Sequence, residues 1–309
     1  MARPRIGLAL GSGSARGWSH IGVIEALQSA DIEPDIVCGS SFGAIVGAAY
    51  VTNQLPALKS FAEGLTRIEI VGLLDVSLSG GGLINGKQIT ELLRKLNIDK
   101  PIEQCAKPFA AVATDLESGR EVWLRDGPIG EAVRASIALP GILSPTRNGD
   151  RWLVDGGLVN PVPVSACRAL GADIVIAVNL NGDIMGRRFK AETTKPIIGR
   201  TTPMPPEFLR RLISQIPAGF REQASVIAPK LLQSTPSSPG YFDVLANSIN
   251  IMQDQITRSR LAGEPPHIML VPRLGDIGLM EFHRAAEAIA EGYACVEQAM
   301  PALRKYINV

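Results

Sequence analysis

Short apolar runs alternate with helical stripes through the first 180 residues. Ile6–Leu10 (IGLAL) is bounded by polar residues and glycine and predicts a buried strand. Trp18–Ser29 carries apolar residues at 18, 21, 23, 24 and 27, the spacing of a helical stripe. Ile36–Cys38 predicts a second strand, and Phe42–Val51 a helix rich in Ala and Gly. Pro56–Arg67 and Lys87–Leu96 continue with helical spacing. Phe109–Thr114, Glu121–Leu124 and Trp152–Asp155 predict strands, the first two joined by a hairpin turn at Glu117–Arg120. Pro163–Leu170 predicts a helix and Ile174–Leu180 (IVIAVNL) a buried strand. Helices return over Phe242–Leu261 and Leu279–Ala299, with a strand at His267–Val271 between them. Strands alternating with helices imply a three-layer α/β/α domain with a mostly parallel sheet covered on both faces.

Residues 181–240 break that rhythm. They hold eight of the 22 prolines, nine Lys or Arg and four Asp or Glu. A long irregular stretch of this kind is expected to be an insert acting as a flap or cap within a single 1–309 domain. Inside it, Pro206–Ile216 has the spacing of an amphipathic helix. Phe208, Leu212 and Ile216 with flanking Arg210 and Arg211 could meet lipid; packing on the domain itself or on a second subunit is the competing expectation.

Composition narrows the classes. Hydrophobic residues make up 46 % and charged residues 20 % of the 309, an ordinary globular balance. The net charge of +1 lacks the basic surplus of a nucleic-acid binder. Cys38, Cys105, Cys167 and Cys295 are far apart and match no zinc or iron–sulfur ligand spacing, and no cofactor is expected. The absence of a leader pattern and of a roughly 20-residue apolar run gives the expectation of a cytoplasmic protein, at most peripheral at the inner membrane surface.

Four segments could carry chemistry. Gly39-Ser40-Ser41-Phe42-Gly43 fits G-x-S-x-G between a strand and a helix, with Ser41 at the nucleophile position of a sharp elbow and Gly39 and Gly43 as its small flanks. An ordinary tight turn is the competing reading. The loop Gly11-Ser12-Gly13-Ser14-Ala15-Arg16-Gly17 follows the first strand and opens a helix. Arg16 spoils a dinucleotide fingerprint and Trp18 spoils a P-loop, which leaves an oxyanion hole or a packing turn. Asp155-Gly156-Gly157 ends a strand, where the carboxylate can reach a cleft or simply be solvated. Ala135–Gly141 reads as a packed helix end, and His20, His267 and His283 each read as structural.

In this order, the segments LALGSGSARGWSHIGVIEAL, GSSFGAIVGAAY, RASIALPGIL and WLVDGGLVNPVPVS resemble the patatin-like phospholipases, with detail nearest the bacterial RssA-type branch. The resemblance covers about Ile6 to Leu180. It implies a serine acyl hydrolase that cleaves lipid carboxylic esters through an acyl-enzyme. Ser41 would be nucleophile and Asp155 general base, with an oxyanion hole from Gly11, Ser12, Gly13, Ser14, Ala15 and Arg16. The family's glycine run is interrupted here by Ser12 and Ser14, which backbone amides tolerate if φ stays negative at both. Expected partners are a lipid ester and a membrane surface, with no nucleic acid; self-association is left open. Two alternatives stay open: a Ser–His–Asp α/β-hydrolase using His267 or His283, and a non-catalytic lipid- or protein-binding module on this scaffold.

Overall fold

The computed structural model describes residues 3–73, 75, 82–183, 210, 213–214 and 241–307. Its strands are β1 (Ile6–Leu10), β2 (Ile36–Ser40), β3 (Phe109–Asp115), β4 (Glu121–Leu124), β5 (Thr146–Asn148), β6 (Arg151–Asp155), β7 (Ile174–Val178) and β8 (Ile268–Leu270). Its helices are α1 (Ser19–Ser29), α2 (Phe42–Val51), α3 (Leu55–Gly64), α4 (Arg67–Leu73), α5 (Lys87–Lys95), α6 (Ile129–Ser136), α7 (Val164–Ala169), α8 (Tyr241–Gly263) and α9 (Ala285–Ile307). All eight strands form one sheet. β8, β7, β1, β2 and β3 pair in parallel, and β4, β5 and β6 add an antiparallel margin.

Side chains alternate between the two faces of the strands, so each strand feeds two cores. Leu8, Leu10, Val37, Phe109, Ala111, Ile176 and Val178 join the larger core with α1, α2 and α9. Ala9, Ile36, Cys38, Ala110, Val112, Val175 and Ala177 join the smaller core with α7. The expected three-layer α/β/α arrangement with a mostly parallel sheet is therefore what the chain adopts. α2 is buried at all ten positions, as its unbroken apolar sequence requires of a helix enclosed on every side.

Several boundaries differ from the sequence pattern for local reasons. Residues 14–18 form a 3₁₀ turn before α1, so the first helix opens in two pieces. The single helix expected over 56–67 divides into α3 and α4 because Leu65 is extended (φ −66°, ψ 118°). β2 runs on to Ser40, bringing the strand directly to Ser41. α9 begins at Ala285, after a 3₁₀ turn at Phe282–Arg284, and runs through Pro301 to Ile307. α6 and the three-residue β5 were not legible as separate elements. Of the expected amphipathic helix in the insert, Phe208, Arg211, Leu212 and Ile216 lie outside the described residues.

One feature of β3 fixes the site. On one edge β3 pairs with β4 from Ala111 to Thr114. On the other edge β2 pairs as far as Ser40↔Val112, and antiparallel β6 takes over from Asp155↔Ala113. Two strands arriving from opposite directions thus end head to head on adjacent residues of a third.

α1 and α9 meet at a reciprocal small-residue contact. A Cβ on Gly22 would overlap the Ile289 carbonyl, and one on Gly292 would overlap the Ser19 carbonyl. Gly22→Ala should destabilise the chain by roughly 1–3 kcal/mol through overpacking, read as a lower denaturation midpoint. An unchanged midpoint would show that the two helices separate freely.

Candidate active site

Ser41 sits between the end of β2 and the start of α2 with φ +55° and ψ −123°. A non-glycine residue held there stores on the order of 1–3 kcal/mol and persists only where surrounding bonds over-determine it. Close packing explains the two flanking glycines. A Cβ on Gly39 would press on the backbone of Ala44, and one on Gly43 would overlap the Leu10 carbonyl. Positions 39 and 43 therefore leave no room for a side chain beside Ser41.

The strand ends on β3 bring together the two residues the sequence singled out. Ser41 Oγ donates a hydrogen bond to Asp155 Oδ2 at 2.6 Å. The second oxygen, Oδ1, accepts from the Gly157 amide at 2.7 Å. Asp155 is 1 % exposed and Ser41 9 %. Burial pushes the Asp155 carboxyl up to about 7, against the opposing pull of the bonds from Ser41 and Gly157. The carboxylate is thereby a stronger base than an exposed aspartate and still ionises near neutral pH.

The glycine loop borders the same cavity through Ser12, Gly13 and Ser14, and four of its six expected donor amides are engaged elsewhere. The Gly11 amide donates to Val178 O, Ser12 to Pro161 O, Ala15 to Leu279 O and Arg16 to Gly13 O. Those four positions of the expected oxyanion hole are therefore corrected, because their N–H groups serve the fold. Gly13 and Ser14 remain, and both line the cavity beside Ser41. Ser14 does not meet the condition of negative φ, standing at +51°. Its hydroxyl donates to Leu279 O at 2.6 Å, which ties down the unfavourable conformation. Arg16 is buried, and its Nε donates to Ile277 O at 2.8 Å. Desolvation lowers its guanidinium to about 10, so it stays a cation beneath the loop.

The histidines are engaged elsewhere. His20 Nε2 bonds the Gly11 carbonyl at 2.8 Å, and burial lowers the ring to about 4, leaving it neutral. His267 Nδ1 accepts from the Val175 amide at 3.0 Å. His283 lies 3.3 Å from an Arg67 nitrogen. None of the three lines the cavity among the described residues.

That cavity has a volume of about 170 Å³, and Ser41 is among the residues that line it. Trp18, Leu58, Phe61, Ile89, Leu93 and Leu139 are among its mainly apolar walls. Its polar end holds Ser12, Asp155 and two side chains that sequence reasoning missed, Asn250 and Gln253 of α8. Gln253 donates to Ser12 Oγ at 3.1 Å and accepts from Asn181 Nδ2 at 3.1 Å. Ser136 was also missed: its Oγ accepts from the Ser41 amide at 2.9 Å. Among the described residues no cluster of side chains could hold a metal ion.

The sequence matches the patatin-like phospholipase family over residues 8–168. An uncharacterized NTE family protein of Mycobacterium tuberculosis is 35 % identical over 341 residues, covering 97 % of this chain and 92 % of its own. Human patatin-like phospholipase domain-containing protein 6 is 33 % identical over 183 residues, covering 57 % of this chain and 13 % of its own. Among solved structures, VipD of Legionella pneumophila superposes with a TM-score of 0.48 at 12 % identity, covering 97 % of this chain and 67 % of that one. The chain belongs to the patatin-like phospholipase family. The relatives named here carry NTE and patatin-like names and do not single out the RssA-type branch.

Asp155 binds its proton more tightly in the folded chain than in the unfolded one. Between the ordinary carboxylate value of 3.8 and about 7, the folded chain holds a proton that the unfolded chain has released. Stability is therefore lost as pH rises through this window. Asp155→Asn should raise the unfolding temperature more at pH 8 than at pH 5; equal increments at both would contradict the raised proton affinity.

Proposed function

We propose that this chain is a serine acyl hydrolase that cleaves lipid carboxylic esters with a Ser41–Asp155 dyad through an acyl-enzyme. The observation that carries the reading is the 2.6 Å hydrogen bond from Ser41 Oγ to a buried carboxylate, both residues lining one mainly apolar cavity. Membership of the patatin-like phospholipase family supports a lipid hydrolase.

The steps follow from the groups present. The ester's acyl chain lies among the apolar walls, which removes it from water and brings its carbonyl to Ser41. Ser41 Oγ attacks the carbonyl carbon as its proton passes to Asp155 Oδ2. The amides of Gly13 and Ser14 hold the oxygen that gains charge, the kind of interaction whose removal lowers rates about 10²- to 10³-fold. The tetrahedral intermediate collapses, the C–O bond to the leaving alcohol breaks, and Asp155 returns the proton to that alcohol. Water then gives a proton to Asp155 and attacks the acyl-serine. Collapse frees the carboxylic acid and restores the Ser41 hydroxyl. This chemistry calls for no metal or cofactor.

Among the described residues no helix is long and apolar enough to cross a membrane. We place access to the lipid at a surface: Met280 lines the cavity and is 37 % exposed, and Ile68 on α4, 83 % exposed, lies two residues from the cavity-lining Ile70. A role for residues 181–240 in that contact belongs to the proposal.

Hydrolysis of a fluorogenic ester should vanish in Ser41→Ala and fall nearly as far in Asp155→Asn, whose amide cannot accept the proton. His267→Ala and His283→Ala should keep most activity. Loss of activity in either, with Asp155→Asn active, would favour a histidine triad, which typically loses on the order of 10⁴ without its orienting or base group. Full activity in Ser41→Ala would favour a non-catalytic module. In the wild type, kcat/KM should rise with pH through about 7 as Asp155 loses its proton. A flat profile from pH 5 to 9 would contradict a carboxylate base.

Ile89 projects from α5 into the cavity. Ile89→Trp should shift preference toward shorter acyl chains in a p-nitrophenyl ester series. An unchanged ranking would mean the acyl chain binds elsewhere.

A further inference from the structure

The segment Ala135–Gly141 enters the steps above only through the Leu139 wall, yet it also touches both residues of the dyad. Ser136, the last residue of α6, is completely buried. Its Oγ lies 2.9 Å from the Ser41 nitrogen and 2.5 Å from the Val112 carbonyl oxygen. A carbonyl can only accept, so the Ser136 hydroxyl proton goes to Val112 and the oxygen accepts the Ser41 N–H. Two residues further on, the Ala138 carbonyl accepts the Asp155 N–H at 3.0 Å. Val112 is the β3 residue at which β2 stops, and its neighbour Ala113 is where β6 ends. One helix end therefore bonds the backbone of the nucleophile, the backbone of the base, and the strand both lean on.

We infer that Ser136 is a positioning residue, whose hydroxyl holds the Ser41 elbow in register with Asp155. The inference rests on the Ser–Asp reading above. Ser41 holds an unfavourable positive φ, and its amide donates to the Ser136 oxygen. Turning the elbow would swing Oγ off Asp155 Oδ2. The same bond keeps the Ser41 amide engaged, which leaves oxyanion binding to Gly13 and Ser14.

The test uses the full chain as wild type, Ser136→Ala, Ser136→Cys and Ser41→Ala, with p-nitrophenyl butyrate as substrate. It records kcat and KM separately, the pH profile from 5 to 9, and thermal unfolding. In Ser136→Ala, kcat should fall about 10- to 100-fold, the range produced by misplacing a reacting group by about an ångström, with KM within about twofold. The acid limb of kcat/KM should move to higher pH, because a looser Ser41 hydroxyl stabilises the Asp155 carboxylate less. A lower unfolding temperature with unchanged kcat and acid limb would overturn the inference and leave Ser136 a packing residue, and so would a loss confined to KM. If Ser136→Ala does not fold, Ser136→Cys decides. Its thiol is a weak acceptor, so kcat should drop and the limb shift in the same direction; a wild-type profile would overturn the inference. If Ser41→Ala hydrolyses the ester like wild type, the dyad reading fails together with this one. If Ser41→Ala is inactive and the Ser136 variants match wild type, only the positioning role fails.

Discussion

The arrangement depends on a seam in the sheet. β2 and β6 approach from opposite directions along one edge of β3 and stop at Val112 and Ala113. The residue after one strand end is Ser41, and the last residue of the other is Asp155. Backbone pairing therefore brings close two side chains 114 positions apart in sequence. A sheet with that edge occupied by one continuous strand would have nowhere to place the pair. The rest of the site is support for this junction: Ser136 and Ala138 bond the backbone on one side of it, and Thr114 Oγ1 donates to the Asp155 carbonyl at 2.7 Å.

Burying a carboxyl at the seam has opposed consequences. Desolvation disfavours the charge and raises proton affinity, which makes Asp155 a better base once it is ionised. Too much desolvation would leave it protonated and inert at neutral pH. The two bonds it accepts, from Ser41 and from the Gly157 amide, pull the other way and hold it near 7. The buried cation of Arg16 has a different task. It bonds the Ile277 carbonyl under the loop whose residues Gly13 and Ser14 line the cavity. Three further bonds, from the Ser14 hydroxyl, the Ala15 amide and Trp18 Nε1, join that loop to residues 279–282. The chain's C-terminal third thus holds the loop that follows its first strand.

Much of this was legible in the sequence where a local rule is strict. The parallel strands read as apolar runs because both faces are covered, and the elbow read as G-x-S-x-G because its geometry excludes side chains at 39 and 43. What escaped depends on contacts distant in sequence. Nothing in RASIALPG says that the Ser136 hydroxyl will meet the Ser41 amide; that follows from where α6 ends against β3. Gln253 and Asn250 belong to a polar face of α8 that reads as ordinary surface until the helix lies over the cavity. β5 spans three residues, too few for a period-two pattern to stand out. At Ser14 the condition of negative φ is not met, and a side-chain bond to Leu279 offsets a conformation that glycine would adopt more readily.

The central claim is that Ser41 is a nucleophile activated by Asp155, and its reactivity can be measured without any lipid. A fluorophosphonate should form one covalent adduct, located on Ser41 by peptide mass spectrometry. Its rate should rise sigmoidally with pH around a midpoint near 7 and collapse in Asp155→Asn. An adduct on another residue, or labelling of Ser41 at a rate indifferent to both pH and Asp155→Asn, would contradict the account.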